Sequence, residues 1–309
     1  MNEATASQRI LVIKHGALGD FIQAMGPFQA IRRHHPAAQI TLLTTSPFAA
    51  LARASGYFDQ VWVDDRPPLW RLDQVWRLRQ RLRGGCFDRV YDLQTSDRSS
   101  FYFRLFNPQP EWSGIASGAS HPHANPGRDA MHTIDRQAEQ LRAAGIATMP
   151  VPDLTWLDKD VGGFGLPARF ALLVPGGSAH RLEKRWPAAS YVALAGELAR
   201  RGVHPVLLGA AAEAPLLAEI HAAVPQSTIL AGRTDFADIA GLARRAVVAY
   251  GNDTGPMHII AASGCPVVVL FSGASDPALC APRGQAVTIL RRERLADLAL
   301  EAVLAALPV

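Results

Sequence analysis

Four short stretches of the chain carry side chains able to grip a phosphate or move a proton. The first is His15-Gly16-Ala17-Leu18-Gly19-Asp20, a glycine turn between an apolar run and an amphipathic one. Glycines there admit a close ligand, and a helix start offers free N–H groups. Asp20 reads in two ways: as a helix cap or first-turn acid that complements the macrodipole, or as a carboxylate held for general-base work. The second stretch, residues 175–187, joins a Gly176-Gly177-Ser178 turn to Arg181, Lys184 and Arg185. Backbone N–H groups, a hydroxyl and cations suit a phosphate, although the cations alone equally describe a solvated basic loop.

The third stretch is Asp253-Thr254-Gly255-Pro256-Met257-His258. Thr254 is placed to cap a helix that has Pro256 in its first turn, so a diphosphate could rest on that helix end. Asp253 could accept sugar hydroxyls, and His258 would lie one turn further in. Singly, His258 reads as a core histidine and Asp253 as a turn residue; together at a strand's end they read as a site. In the fourth, Glu213 follows Gly209 and three alanines. Its carboxylate suits a ribose, or is simply a first-turn acid. The first loop has G-x-x-G rather than G-x-G-x-x-G, and Thr44-Thr45-Ser46 offers no acid for a ribose, which disfavours a dinucleotide-dependent dehydrogenase.

These loops need a scaffold that presents them. Short apolar runs at residues 9–14, 39–44, 60–63 and 89–93 alternate with helical patterns at 20–33, 48–55 and 69–83, the rhythm of βαβ units and a parallel sheet. An irregular region spans 107–128, before a helix at 134–144. The rhythm restarts with strands at 170–174, 205–208, 228–230, 246–250 and 266–271. In the helix at 188–201, Tyr191, Leu194, Ala195 and Leu198 share one face while Glu197, Arg200 and Arg201 point away. The expected fold is α/β, two Rossmann-like doubly wound domains facing a cleft, with ligand loops at the carboxyl ends of the strands. Residues 1–150 form the first domain and 168–309 the second, with 151–167 as linker and the last helix free to pack back on the N-terminal domain.

The chain has 309 residues, 49% hydrophobic and 19% charged, which suits two globular domains and excludes a disordered chain. Thirty-one basic against 27 acidic residues leave +4, a mild surplus that fits anionic partners. Three cysteines without a C-x-x-C pair indicate neither a disulfide framework nor a thiolate zinc site. Asp158-Lys159-Asp160 lies in the linker and His121, His123 and His132 lack zinc spacing, so no metal is expected. The polar start lacks a secretory core and no apolar run spans a bilayer, so a cytoplasmic protein is expected. Peripheral contact with the inner membrane's cytoplasmic face remains open through the helix at 69–83, with its arginines beside Trp70 and Trp76, which otherwise reads as a charged face. No nucleic-acid motif is present, which counts against a non-catalytic basic binding module.

Taken together, Gly16-Ala17-Leu18-Gly19-Asp20, Lys184-Arg185-Trp186-Pro187 and Asp253-Thr254-Gly255-Pro256-Met257-His258 resemble glycosyltransferase family nine. These are the lipopolysaccharide heptosyltransferases and their relatives, two-domain enzymes of the GT-B fold. The resemblance implies inverting, metal-independent transfer of a heptose from ADP-heptose, without a cofactor, to a lipid-linked core oligosaccharide of lipopolysaccharide. It also allows another nucleotide sugar or a different acceptor. By that resemblance Asp20 is the catalytic base, and Lys184 the cation at the donor phosphates. Ser178, Arg185, Glu213, Asp253, Thr254, Gly255 and His258 are the other donor contacts. The acceptor side falls to the first domain, with Gly19, Ser96 and Arg98 as candidates.

Overall fold

The computed structural model describes residues 7–177 and 180–306, so Ser178 lies outside the described residues. The chain divides between Pro152 and Asp153 into two compact units. In the first, strands β1 (Arg9–Ile13), β2 (Gln39–Thr44), β3 (Gln60–Val63), β4 (Arg89–Asp92), β5 (Glu111–Gly114) and β6 (His121–Pro122) pair in the order β3-β2-β1-β4-β5-β6. Every pairing is parallel, and Ile13 stands in register with both Leu43 and Asp92. Helices α1 (Leu18–Gln23), α2 (Met25–His34), α3 (Ser46–Ala54), α4 (Leu72–Gly84), α5 (Asp97–Phe103) and α6 (Thr133–Ala143) complete this unit.

The single helix expected over 20–33 is two helices that meet at Ala24. The region read as irregular holds β5 and β6. One layer of the core forms where Trp112 of β5 packs edge-on against Phe103 and Phe106, ring centroids 5.2 and 5.9 Å apart, with Leu11, Ile13 and Leu82 around them.

The second unit repeats the plan. Strands β7 (Phe170–Val174), β8 (His204–Leu207), β9 (Thr228–Ile229), β10 (Val248–Asn252), β11 (Val267–Phe271) and β12 (Val287–Arg291) pair in the order β12-β11-β10-β7-β8-β9, again all parallel. Read from either unit's own first strand, the order is the same. Helices α7 (Ala188–Arg200), α8 (Ala214–Ala223), α9 (Phe236–Arg245), α10 (Gly255–Ala262), α11 (Pro277–Cys280) and α12 (Leu300–Ala306) follow their strands. The face of α7 expected to be buried is buried: Tyr191, Leu194, Ala195 and Leu198. Opposite it Glu197 pairs with Arg200 and Arg201.

Two expectations about the joints meet a different structure. The stretch read as linker is packed from residue 154 onward, because Leu154, Leu157 and Val161 are buried and the Arg244 guanidinium of α9 donates to the carbonyls of Leu154 and Leu157. Lys159 adds ion pairs of 2.9 Å to Asp235 and to Asp238. The last helix, expected to be free to pack back on the first domain, packs in the second: α12 lies on α7 and puts Val303 into that unit's core. Its apolar stripe of Leu300, Val303 and Leu304 packs against that core.

In both units the strand order reverses between the first and fourth strands, at β1/β4 and at β7/β10. Ligand sites of doubly wound sheets sit outside such switch points. The sequence motifs leave the sheets at these places.

Candidate active site

In the first unit the loop after β1 is tethered on both sides. Lys14 N donates to Leu43 O, Thr45 Oγ1 to His15 O at 2.8 Å, and His15 N to Gln94 Oε1 at 2.8 Å. Gly16 has φ +126°, a region costly for other residues, and Phe48 fills the space a Cβ would need. Asp20 therefore arrives on a fixed turn. It is half-buried in the first turn of α1, but Ala17 holds the N-cap position without a side-chain bond, so Asp20 is a first-turn acid and not the cap. Gly19 is the second residue of the same helix.

Beneath Asp20 lies a buried polar layer. Lys14 is buried, donates Nζ to Leu93 O at 3.2 Å, and is held below lysine's ordinary value by burial; Asp20 opposes that shift, Arg136 adds to it and Asp92 opposes it. Asp92 ends β4 with no solvent exposure. Its Oδ1 accepts from Gln94 N and Thr95 N at 3.1 and 3.0 Å, while Oδ2 has no partner among the described residues. Burial raises its carboxyl from 3.8 to about 6 despite hydrogen bonds from Thr95, Ser99 and Gln94. Asp64, just past β3, accepts from the Tyr102 hydroxyl at 2.6 Å and stands 2.9 Å from His15 Nε2. Burial pushes Asp64 up, yet the bonds from His15 and Tyr102 outweigh it and hold the carboxyl below its ordinary value.

The acceptor-side residues taken from the sequence do structural work here. Ser96 caps α5 in a reciprocal box with Ser99, and Arg98 donates to Pro67 O at 3.0 Å, tying α5 to the loop after β3.

In the second unit the motifs converge. Lys184 Nζ sits 2.6 Å from Asp253 Oδ2, which also accepts from Ser275 Oγ at 2.8 Å; the Lys184 and Asp253 side chains are 15% and 9% exposed. Arg185 donates to Gly177 O and Arg181 to Ala274 O, each at 2.6 Å, so both cations brace loops at the same strand ends. Thr254 occupies the N-cap of α10, as its spacing implied, but its side chain makes no cap bond. His258 is buried one turn further along α10.

Glu213 is a first-turn acid in the turn after β8. Its Oε2 accepts from Ala210 N at 2.7 Å and its Oε1 from Gly177 N at 2.7 Å, which couples the turn after β7 to the turn after β8. Gly176 must be glycine for this, because the Glu213 carboxylate occupies the place of a Cβ.

Sequence reasoning passed over Asn252. Its Oδ1 accepts from Trp186 N at 3.0 Å and the Tyr191 hydroxyl at 3.1 Å, and its Nδ2 donates to Pro175 O at 2.8 Å and Gly176 O at 3.1 Å. One buried amide thus satisfies all four of its own hydrogen-bonding positions and ties the turn after β7, the entry to α7 and α7 itself to the end of β10. The signal was an asparagine at the buried end of a strand next to Asp253. Asp64, Asp92 and Ser275 were also missed; acids and a serine at strand carboxyl ends were their only mark.

The solved structure of an Escherichia coli ADP-heptose lipopolysaccharide heptosyltransferase II superposes with a TM-score of 0.79 over 97% of each chain at 20% identity. That likeness, with two parallel sheets of the doubly wound order, shows the GT-B fold. The chain belongs to glycosyltransferase family 9 (heptosyltransferase), whose pattern it matches over residues 75–303, a family of lipopolysaccharide biosynthesis. A lipopolysaccharide heptosyltransferase 1 of Pseudomonas aeruginosa is 26% identical over 303 residues, 90% of this chain and 82% of that protein. A lipooligosaccharide heptosyltransferase 2 of Haemophilus influenzae is 34% identical over 113 residues, 35% of this chain and only 32% of that protein. Among the described residues no helix is long and apolar enough to cross a membrane, and no cluster of metal-binding side chains is present.

Proposed function

We propose that the protein transfers a heptose from ADP-heptose to a lipid-linked oligosaccharide core acceptor, with inversion and without a metal ion. The second unit binds the donor and the first binds the acceptor. The observation that carries the donor side is the Lys184–Asp253 pair of 2.6 Å beside the start of α10. Lys184 meets the diphosphate, whose charge grows as the sugar leaves, and the N–H groups at Thr254 and Gly255 complete the cradle. Asp253, oriented by Lys184 and Ser275, turns its remaining acceptor capacity to the sugar hydroxyls. His258 stands one turn further along α10, Arg185 holds the Gly177 turn, and Glu213 retains lone pairs for a ribose. In the first unit Asp20 takes the proton of the acceptor hydroxyl, so a single displacement proceeds without a covalent enzyme intermediate.

Because fixed cations supply the charge that a divalent ion supplies elsewhere, a chelator leaves the reaction untouched. The test is thermal protection by a panel of nucleotide sugars, with and without a chelator, since a bound donor stabilises the folded state by mass action. ADP-heptose should raise the melting temperature in both conditions, and Lys184→Met should erase most of that rise. A larger shift from another sugar nucleotide would reassign the donor, and a shift that needs a divalent ion would overturn metal independence.

A further inference from the structure

Helix α4 is amphipathic in an unusual sense. One face, Val75, Leu78 and Leu82, packs into the core of the first unit. Beside it, and in the segment that leads into it, stand four large apolar side chains in water: Trp70 at 79% exposure, Leu72 at 75%, Trp76 at 57% and Leu69 at 46%. Within α4, Leu72 and Trp76 are four residues apart and so share a flank. The same segment is strongly basic, with six arginines against one aspartate between residues 66 and 83. Two of the six serve the fold: Arg81 donates to Val63 O and lies over the Trp62 ring, and Arg83 donates to Leu105 O. Arg71 and Arg77 share Asp73 at 3.6 and 3.7 Å, too loosely and too exposed to cancel both charges.

Clustered exposed apolar side chains mark contact surfaces. Which partner fits is decided by composition. Tryptophans settle where hydrocarbon meets headgroup, and arginines bury their stems while the guanidinium stays with phosphate. A protein groove would match the apolar side chains but not the positive surplus of this face, where Arg71, Arg77 and Arg79 stand against Asp73 alone. We propose that residues 69–79 form a docking face for an anionic phospholipid bilayer, with Leu69, Trp70, Leu72 and Trp76 entering the headgroup boundary and Arg77 and Arg79 on lipid phosphates.

The test uses the full chain with no sugar nucleotide present, so its result is independent of the donor assignment. Co-sedimentation is measured with vesicles of phosphatidylcholine alone and of phosphatidylcholine with one-third phosphatidylglycerol. Binding is expected only to the anionic vesicles and to weaken with salt. Arg77→Gln and Arg79→Gln should each lower the partition coefficient about fivefold, and Trp70→Ala with Trp76→Ala at least about tenfold. Trp70→Phe with Trp76→Phe should restore much of it, and thermal unfolding should stay unchanged throughout because these rings project into solvent. Equal binding to both vesicle types, no binding to either, or variants that bind like the parent would overturn the proposal. So would self-association without vesicles that the tryptophan substitutions abolish, since the face would then serve a second copy of the chain.

Discussion

Replacing Asn252 tests whether one amide holds the donor-side loops in place. Asn252→Ala removes four buried hydrogen bonds, to Trp186 N, the Tyr191 hydroxyl, Pro175 O and Gly176 O. At about 1 kcal/mol net for each, the loss is about 4 kcal/mol. Tyr191→Phe takes away only the hydroxyl's bond to Asn252 Oδ1 and leaves the other three in place, so alone it should cost only about 1 kcal/mol. Asn252→Asp is the sharper perturbation, since it preserves shape and both acceptors but turns a carboxylate oxygen toward two carbonyls. Its cost should fall between those values, about 2 to 3 kcal/mol. Urea denaturation followed by tryptophan fluorescence gives the stabilities, and calorimetry gives ADP affinity, expected to fall at least about tenfold in the alanine variant as the Gly176 turn loosens. The reasoning fails if Asn252→Ala stays near the parent in both measurements. It also fails if Asn252→Ala and Tyr191→Phe are simply additive, because partners in one network should couple.

Asp20→Asn should leave donor affinity intact while lowering turnover about 10²- to 10⁴-fold, the usual range for a lost general base; steady-state kinetics giving near-parental kcat would reduce Asp20 to a first-turn acid. Asp92 predicts a pH effect of definite sign. Its carboxyl lies at about 6 rather than 3.8, so the native state holds the proton longer than the unfolded chain and stability falls as pH rises from about 4 to 6, then levels off. Two pKa units correspond to about 3 kcal/mol. Denaturation curves across that range should show Asp92→Asn lacking this decline, and parallel curves for parent and variant would refute it.

Legibility tracked burial. Strands such as β1 and β7, covered on both faces, announce themselves as unbroken apolar runs, and their motifs follow directly. Of the four edge strands, β3 and β9 were read and two were not: β12 is only partly buried, and β6 is just His121 and Pro122. The break at Ala24 was marked by Gly26 and Pro27 in the first turn of α2, a signal outweighed by the continuous amphipathic pattern on either side. The same contrast runs through the site. Asp253 and Thr254 sit in a turn whose residue types state its chemistry. Asn252 and Asp64 act through partners far away in sequence, Trp186 being 66 residues from Asn252 and Tyr102 38 from Asp64, and only the folded chain brings these together.

The shared strand order of the two halves reaches beyond geometry. After its first strand one half places an acid, Asp20, and the other places the cations Arg181 and Lys184. Each scaffold therefore tolerates opposite chemistry at the same address; under the proposed division of labour, chimeras that graft the connections after β3 and β4 from a cousin should redirect which glycan is extended while keeping the activated sugar unchanged.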